Sequence, residues 1–439
     1  MAELAPRESR VTRWLRGAHP AAFSAYAIAA AFSTYFCMYA FRKPFTAGTF
    51  EGADVALPLL PPVELKTLLV VAQVVGYMLS KFVGIKVVSE MSGARRGLAI
   101  LALIGIAEAA LGLFAVTPHP WSAVWLFVNG LPLGMVWGLV FGFLEGRRVS
   151  EILGAGLSAS YILASGVVKT IGRWVMDGWG VSEDAMPFVV GLLFFPGLLF
   201  VVWMLSRLPP PSAEDIASRT KREPMDRARR HQFLRAYWPG LLALTLLYFF
   251  LTAYRGVRDD FAVNLWNALG YAGQPEIMSV SELPVALGVL VALALLFMIK
   301  SNKRALIAVH LLMAGGTAMV GLATLAHASG LISPAAWMIL IGLGLYLAYV
   351  PFGAMLFDRL IAAVGFVATA GFMIYVTDAV GYLGYVVVVF FKSFSAPDLS
   401  WLEFFEAFSY VTAILCTAAF AFSTVYFWRV TRAAGPPAA

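Results

Sequence analysis

The chain has 439 residues, of which 60% are hydrophobic and only 13% are charged. Soluble domains carry about 25% charged residues, so this composition excludes a soluble globular protein and predicts a polytopic helical membrane protein. The formal net charge of +7 is no argument for nucleic-acid binding, because the basic residues cluster in alternate loops between apolar segments.

Twelve apolar segments follow a polar N-terminus, and each is long enough to cross a bilayer. The N-terminal segment contains four arginines and has no short apolar core, so it is interpreted as a cytoplasmic tail and not as a signal peptide. The predicted spans are 21–50, 63–89, 96–116, 121–145, 150–176, 186–206, 238–266, 281–299, 304–326, 334–357, 361–391 and 403–429.

A charged segment at 207–237 divides the twelve predicted spans into two sets of six. Lysine and arginine accumulate on the cytoplasmic side of membrane proteins. They occur here in alternate loops, for example at Lys86, Arg147 and Arg304, whereas acidic residues fill the opposite loops. Both termini are therefore predicted to be cytoplasmic. The first predicted six-helix bundle covers 21–206 and the second covers 238–430, with a cytoplasmic linker at 207–237 between them. Cytoplasmic tails are predicted at 1–20 and 431–439.

The first span of each half carries the same pattern. At an offset of 213 residues, four positions match: Tyr35, Phe36, Ala40 and Arg42 correspond to Tyr248, Phe249, Ala253 and Arg255. Transporters built from two repeats bind their substrates between the repeats, near the middle of the membrane. The repetition therefore predicts that Arg42 and Arg255 face each other across a central cavity.

Each of these arginines belongs to a polar helical face. The spacing i, i+4, i+7 places the members of each set on one side of a helix. The two sets are Tyr35, Tyr39 and Arg42, and Tyr248, Thr252 and Arg255. A guanidinium group grips phosphate or carboxylate with two parallel hydrogen bonds, so the pattern predicts an anion site. The alternative is that each arginine pairs with a fixed acid or extends to the membrane interface.

Three further ionisable residues are candidates for this site, since a charge inside a span is costly unless it faces protein or water. Lys81 is predicted to face the cavity, and Lys169 either joins the anion site or pairs with an acid. Asp378 is predicted to pair with Lys81, Lys169 or an arginine and to balance charge. Reversible protonation of Asp378 is the alternative.

Other intramembrane polar residues favour structural interpretations, with direct contact to the substrate as the alternative for Lys43 and Arg258. Lys43 is turned about 100° from Arg42 on a helix. Arg258 precedes two aspartates and is predicted to form an interfacial ion pair with them. Glu108 and His310 lie in spans predicted to be peripheral and are interpreted as structural contacts.

Enzyme signatures are missing from the sequence. It contains no HExxH, GxSxG or Walker motif and no cluster of metal-ligating residues at the spacing of a metal site. Cys37 and Cys416 both lie in spans and are interpreted as small buried residues. We therefore predict neither enzymatic activity nor a cofactor nor a metal.

The twelve-span plan resembles the major facilitator superfamily. Within it, YFCMYAFRKPF in span 1 and GYMLSKFVG in span 2 are similar to motifs of the organophosphate:phosphate antiporters. The matching positions are Tyr35, Tyr39, Arg42, Lys43, Phe45, Tyr77, Ser80, Lys81 and Phe82. The resemblance implies an alternating-access transporter in the bacterial inner membrane, with Arg255 as the second phosphate-binding arginine.

The sequence departs from that family at several positions. The family's helix 5 often carries a phosphate-contacting histidine, but the corresponding stretch LASGVVKTIG has none and places Lys169 one turn later. Its glutamine- and tryptophan-rich fourth helix is replaced by NGLPLGMVWGLVFG. Glu90 replaces the usual aspartate in the loop after span 2, and Asp378 is an addition in span 11.

The main hypothesis is a monomeric secondary transporter that exchanges small organic anions, either phosphorylated or carboxylated. Arg42 and Arg255 would hold the anion. With Lys81, Lys169 and Asp378 in the same cavity, the site would carry a charge of +3, which disfavours the empty state and favours exchange. The alternatives are a proton-coupled transporter of a zwitterion or drug that uses Asp378, and a transporter-like membrane receptor.

Overall fold

Long apolar helices form most of the computed structural model, which describes residues 9–56, 61–147, 149–217, 227–365 and 370–433. Within those residues, twelve helices have the length and apolar composition needed to cross a membrane, so the predicted number of spans is confirmed. Parts of the predicted tails and linker, at 1–8, 218–226 and 434–439, lie outside the described residues.

The first half contains seven helices and one small hairpin. A 3-10 turn at Pro44–Ala47 follows the first spanning helix, and strands β1 (Asp54–Val55) and β2 (Val63–Glu64) pair antiparallel after it. The helices are α1 (Arg10–Gly17), α2 (Pro20–Tyr39), α3 (Leu65–Glu90), α4 (Gly93–Val116), α5 (Ala123–Phe141), α6 (Ser150–Trp179) and α7 (Met186–Leu205).

The second half follows a short helix, α8 (Ala213–Ala217). Two π-helical turns, Asn267–Tyr271 and Phe352–Leu356, interrupt its helices. The helices are α9 (Arg227–Asp260), α10 (Ala262–Trp266), α11 (Ile277–Val280), α12 (Glu282–Phe297), α13 (Asn302–Ala328), α14 (Pro334–Pro351), α15 (Phe357–Val364), α16 (Ala370–Ser395) and α17 (Trp401–Ala433).

Several helix boundaries differ from the sequence prediction. The eleventh span was predicted over 361–391, but α15 continues to Val364 and α16 covers Ala370–Ser395. The first span was predicted to continue to residue 50, but α2 ends at Tyr39. Pro44 contributes to this end, because proline has no N–H to donate to the carbonyl oxygen four residues earlier and its ring crowds that turn. At a third boundary, α9 already begins at Arg227, inside the predicted linker, so that part of the linker is continuous with the seventh span.

Glycines allow α3 and α5 to pack with their backbones in close contact. A Cβ atom added at Gly76 would lie 2.1 Å from the carbonyl oxygen of Phe127, and one at Gly130 would lie 2.3 Å from that of Gln73. Small residues at helix interfaces are the usual means of such close approach inside membranes. These two glycines therefore fix the separation of α3 and α5, and α3 carries several residues of the central cavity.

We expect Gly130→Ala to destabilise the protein by about 1–3 kcal/mol, the usual cost of overpacking, since the added methyl group meets backbone atoms that cannot move aside. Gly105→Ala on α4 is the matched control, because a Cβ there has no atom within 4 Å. It should be neutral or stabilise by up to about 1 kcal/mol through helix propensity. Melting temperatures in detergent test both variants, and equal shifts would contradict the packing argument.

Candidate functional site

The end of the first spanning helix directs two adjacent cations to different partners. After Tyr39 the backbone forms a turn in which the N–H groups of Arg42 and Lys43 both donate to the carbonyl oxygen of Tyr39, at 3.1 and 2.9 Å. Arg42 is therefore held by a turn and not by the regular helix. It lines the same cavity as Tyr35 and Tyr39.

That cavity lies between the two halves, and its empty space, which includes a part open to solvent, measures about 600 Å³. Both halves contribute to its wall, which contains seven tyrosines and four charged residues. The residues that line it are Tyr35, Tyr39, Arg42, Tyr77, Lys81, Trp137, Ser158, Tyr161, Tyr248, Arg255, Tyr349, Gly353, Ile374, Asp378 and Tyr382. We call it the central cavity.

The two arginines of the central cavity lie against aromatic rings. The Arg42 Cζ lies 3.8 Å from the centroid of the Tyr77 ring, and the Arg255 Cζ lies 4.8 Å from that of Tyr349. Both arginines are buried, with 3% and 8% of their surface exposed. In the part of the chain that the structure describes, the Nε of each has no hydrogen-bond partner. Among the described residues, no carboxylate lies within 4.0 Å of either guanidinium group. The aromatic faces stabilise the cations but leave most of their donors free to bind a ligand.

Lys81 and Asp378 form an ion pair in the same cavity. The Lys81 Nζ lies 3.3 Å from the Asp378 Oδ2, and this contact joins α3 of the first half to α16 of the second. The Tyr248 hydroxyl donates to the Asp378 Oδ1 at 2.7 Å and lies 2.9 Å from the Tyr349 hydroxyl. With Arg42 and Arg255 included, the charged residues of the cavity wall sum to +2.

Two predicted site residues lie elsewhere. Thr252 does not line the central cavity; it is buried and packs against Gly381. Lys169 lines a different cavity of about 330 Å³ and pairs with an acid, Asp259. The predicted sum of +3 is therefore corrected to +2, because pairing with Asp259 holds the charge of Lys169 outside the central cavity.

The sequence prediction did not include most of the aromatic wall. Tyr77 was visible in the GYMLSKFVG motif, but it was not assigned to the site. Tyr161, Tyr349 and Tyr382 carry no sequence signal of their own, because each shares its apolar span with other aromatic residues that do not line the cavity. Only the packing of the two halves brings them together.

A buried ion-pair cluster joins the two halves near the C-terminal ends of α2 and α9. Its members, Lys43, Lys169, Asp259 and Asp260, are called the distal closure here. The Lys43 Nζ lies 2.8 Å from the Asp259 Oδ2 and also hydrogen-bonds Asp260. The Lys169 Nζ lies 2.6 Å from the Asp259 Oδ1, and Tyr385 donates to the Asp260 Oδ2 at 2.8 Å. Each carboxylate therefore has a cationic partner from the other half.

The predicted pairing of Arg258 with the adjacent aspartates was wrong. Its Nη1 lies 2.7 Å from the Glu282 Oε1, and its Nη2 donates to the carbonyl oxygen of Met338 at 3.0 Å. Successive helical residues point about 100° apart, so Arg258 faces its own half while Asp259 faces the other.

Glu108 and His310 both lie outside the central cavity. His310 is fully buried, with its Nδ1 2.8 Å from the carbonyl oxygen of Leu306 and its Nε2 3.1 Å from the Ser423 hydroxyl. Glu108 packs against Gly191, and neither of its carboxyl oxygens has a hydrogen-bond partner among the described residues.

Comparison with protein families identifies the chain. A family of unknown function, DUF5690, matches residues 44–430. The chain belongs to that family. The matched region of this DUF5690 protein begins two residues after Arg42 and includes Arg255. Comparison with curated proteins finds no match.

A solved structure defines the fold of this DUF5690 protein. The crystal structure of a D-xylose-proton symporter is similar with a TM-score of 0.57 and 17% sequence identity, over 93% of this chain and 97% of the symporter. The chain therefore has the twelve-helix fold of the major facilitator superfamily and is a multi-pass membrane protein. Identity at this level establishes the fold alone, and function depends on the residues of the site.

Proposed function

We propose that this chain is a secondary transporter that carries a small organic anion by alternating access. One observation supports the proposal above all others. Two buried arginines, one from each half, face the same cavity, and neither has a carboxylate partner among the residues that the structure describes. A buried cation is costly unless something compensates its charge, and an anionic ligand held between the two guanidinium groups would do so.

The chemistry of the cavity favours a phosphate or carboxylate group. Each guanidinium group offers a fork of donors that matches two oxygens of such a group. The net charge of +2 fits a dianion, and the tyrosine hydroxyls supply further donors at the sides. An empty cavity of this charge is disfavoured, which supports exchange of one anion for another. The resemblance of spans 1 and 2 to the organophosphate:phosphate antiporters agrees with this proposal.

The distal closure supports a mechanism in which the halves rock against each other. Its ion pairs connect the turn after α2, and α6, to the end of α9 in the second half. They must separate before the cavity can open at that end. In our proposal the halves correspond to residues 21–206 and 238–430. Both termini lie in the cytoplasm of a bacterial cell, the distal closure faces outward, and the transporter works as a monomer.

A thermal-shift experiment on purified protein tests for anion binding. A ligand that binds only the folded state raises the melting temperature by mass action. We expect inorganic phosphate, glycerol 3-phosphate or succinate to stabilise the protein, whereas neutral sugars such as D-xylose do not. Stabilisation by D-xylose and by none of the anions would contradict the proposal.

Proton-coupled transport of a zwitterion is a second candidate, because Asp378 lies in the central cavity beside Lys81 and Tyr248. In that mechanism the carboxyl group takes up a proton and releases Lys81 during each cycle. A pH gradient would then drive uptake.

The variant Asp378→Asn distinguishes the two candidates. For the anion exchanger we expect exchange to persist and anion binding to tighten roughly threefold to tenfold, since removal of a negative charge is worth on the order of 1 kcal/mol here. For the proton-coupled transporter, uptake driven by a pH gradient would be abolished. Uptake into liposomes with and without a pH gradient is the measurement. Asp177→Asn, in an exposed pair with Arg173, is the control.

A further inference from the structure

The turn that carries Arg42 and Lys43 is held by two buried amide side chains. The Gln73 Nε2 on α3 donates to the carbonyl oxygen of Arg42 at 2.8 Å. The Asn129 Nδ2 on α5 donates to the carbonyl oxygen of Phe41 at 2.9 Å. These carbonyls follow the end of α2, where backbone acceptors lose their partners within the helix. The two amides thus supply hydrogen-bond donors to carbonyl oxygens that have no partner within the helix.

The amides also bind each other and a third helix. The second hydrogen of the Gln73 Nε2 goes to the Asn129 Oδ1 at 2.8 Å, and the Asn129 Nδ2 also donates to the carbonyl oxygen of Ala107 at 3.0 Å. Gln73 and Asn129 have 2% and 0% of their surface exposed. A buried network whose donors are all used is rigid and specifies one geometry, so the turn is fixed relative to α3, α4 and α5.

The network lies between the two functional clusters. Gln73 holds the backbone of Arg42, and Tyr77, one turn later on α3, covers the guanidinium group of the same residue at 3.8 Å. The next residue, Lys43, belongs to the distal closure. One clamped turn therefore directs Arg42 into the central cavity and Lys43 toward the opposite half.

We propose that Gln73 and Asn129 are positioning residues for anion binding. They hold the backbone of the Arg42–Lys43 turn so that Arg42 points into the central cavity while Lys43 engages the distal closure. This inference rests on the proposed function, since it assumes that Arg42 binds the anion. It adds two residues that neither line the central cavity nor belong to the distal closure, and that act only through the turn.

A mutant cycle tests whether Gln73 acts through Arg42. Gln73→Met keeps the approximate volume and removes both donated bonds. We expect it to weaken binding of the anion probe about fivefold to tenfold, the effect of roughly one hydrogen bond. The same weakening should appear in an Arg255→Lys background but shrink below about twofold in an Arg42→Lys background, because coupled residues are not additive. Isothermal titration calorimetry provides the affinities. The probe is whichever of inorganic phosphate, glycerol 3-phosphate and succinate binds the unmodified protein most tightly.

Two further variants keep the test decisive. Gln73→Asn retains an amide but is one methylene too short to reach the Arg42 carbonyl, and it replaces Gln73→Met if that variant does not fold. Ser423→Ala removes a comparable buried contact, the one with His310, and should leave affinity unchanged. Weakening of equal size in all three backgrounds, or none in any, would overturn the positioning role while leaving the proposed function intact. Failure of the unmodified protein to bind any of the three probes would overturn the proposed function, and the positioning role with it.

Discussion

Replacing either cavity arginine by lysine should weaken anion binding about 30- to 150-fold. Lysine keeps the positive charge but cannot form the planar, two-pronged contact of a guanidinium group. Loss of a charge-assisted hydrogen bond costs about 2–3 kcal/mol, which corresponds to that range of affinity. Titration of purified Arg42→Lys and Arg255→Lys proteins with inorganic phosphate, glycerol 3-phosphate and succinate is the measurement. Because the two arginines come from equivalent positions in the halves, effects of similar size are expected.

Arg173→Lys provides the matched control for these variants. Arg173 lies on α6 in a partly exposed pair with Asp177, 3.3 Å apart, and such pairs contribute little. We expect no change of affinity in this protein. If Arg42→Lys and Arg255→Lys bind every anion as tightly as the unmodified chain, the cavity arginines do not hold the ligand.

Removing a carboxylate from the distal closure should destabilise the protein strongly. Asp259→Asn leaves Lys169 buried, with 2% of its side chain exposed, and without an acidic partner. Breaking a buried pair in this way costs about 3–5 kcal/mol. Lys43 keeps Asp260 as its acidic partner. The loss of stability therefore comes mainly from the unpaired charge of Lys169. Melting temperature in detergent reports the stability, and Asp177→Asn serves again as the exposed control.

A double variant separates charge from packing at the same position. In Lys169→Met/Asp259→Leu no buried charge is left without a partner at that contact, and apolar replacements of buried ion pairs are often neutral or stabilising. We expect this protein to regain most of the stability lost in Asp259→Asn. If it is no more stable than the single variant, the pairing of Lys169 with Asp259 is not what stabilises the distal closure.

The sequence predicted the fold better than it predicted the pairing of charges. Hydropathy gives the number of spans because a bilayer imposes a minimum apolar length. It does not determine where α2 ends, since residues 44–50 continue the apolar run and only Pro44 interrupts the hydrogen-bond pattern. The offset of 213 residues between Arg42 and Arg255 indicated two equivalent positions. It contained no information on which tyrosines would surround them.

The pairing of Lys169 with Asp259 shows what the sequence alone does not predict. The sequence places Lys169 inside a span near other candidate charges, and this was equally compatible with an anion site and an ion pair. The choice depends on how α6 packs against the end of α9 in the other half, which brings the Lys169 Nζ within 2.6 Å of Asp259. Contacts between distant segments are set by packing, and a single sequence does not record them.

Counterflow in liposomes tests the central claim most directly. Purified protein is reconstituted with an unlabelled anion inside, chosen as the one that raises the melting temperature most among phosphate, glycerol 3-phosphate and succinate. The labelled anion is then added outside. An anion exchanger should accumulate the label transiently above equilibrium, and Arg42→Lys and Arg255→Lys liposomes should not. An anion that binds the purified protein but shows no counterflow would contradict transport and favour a membrane receptor.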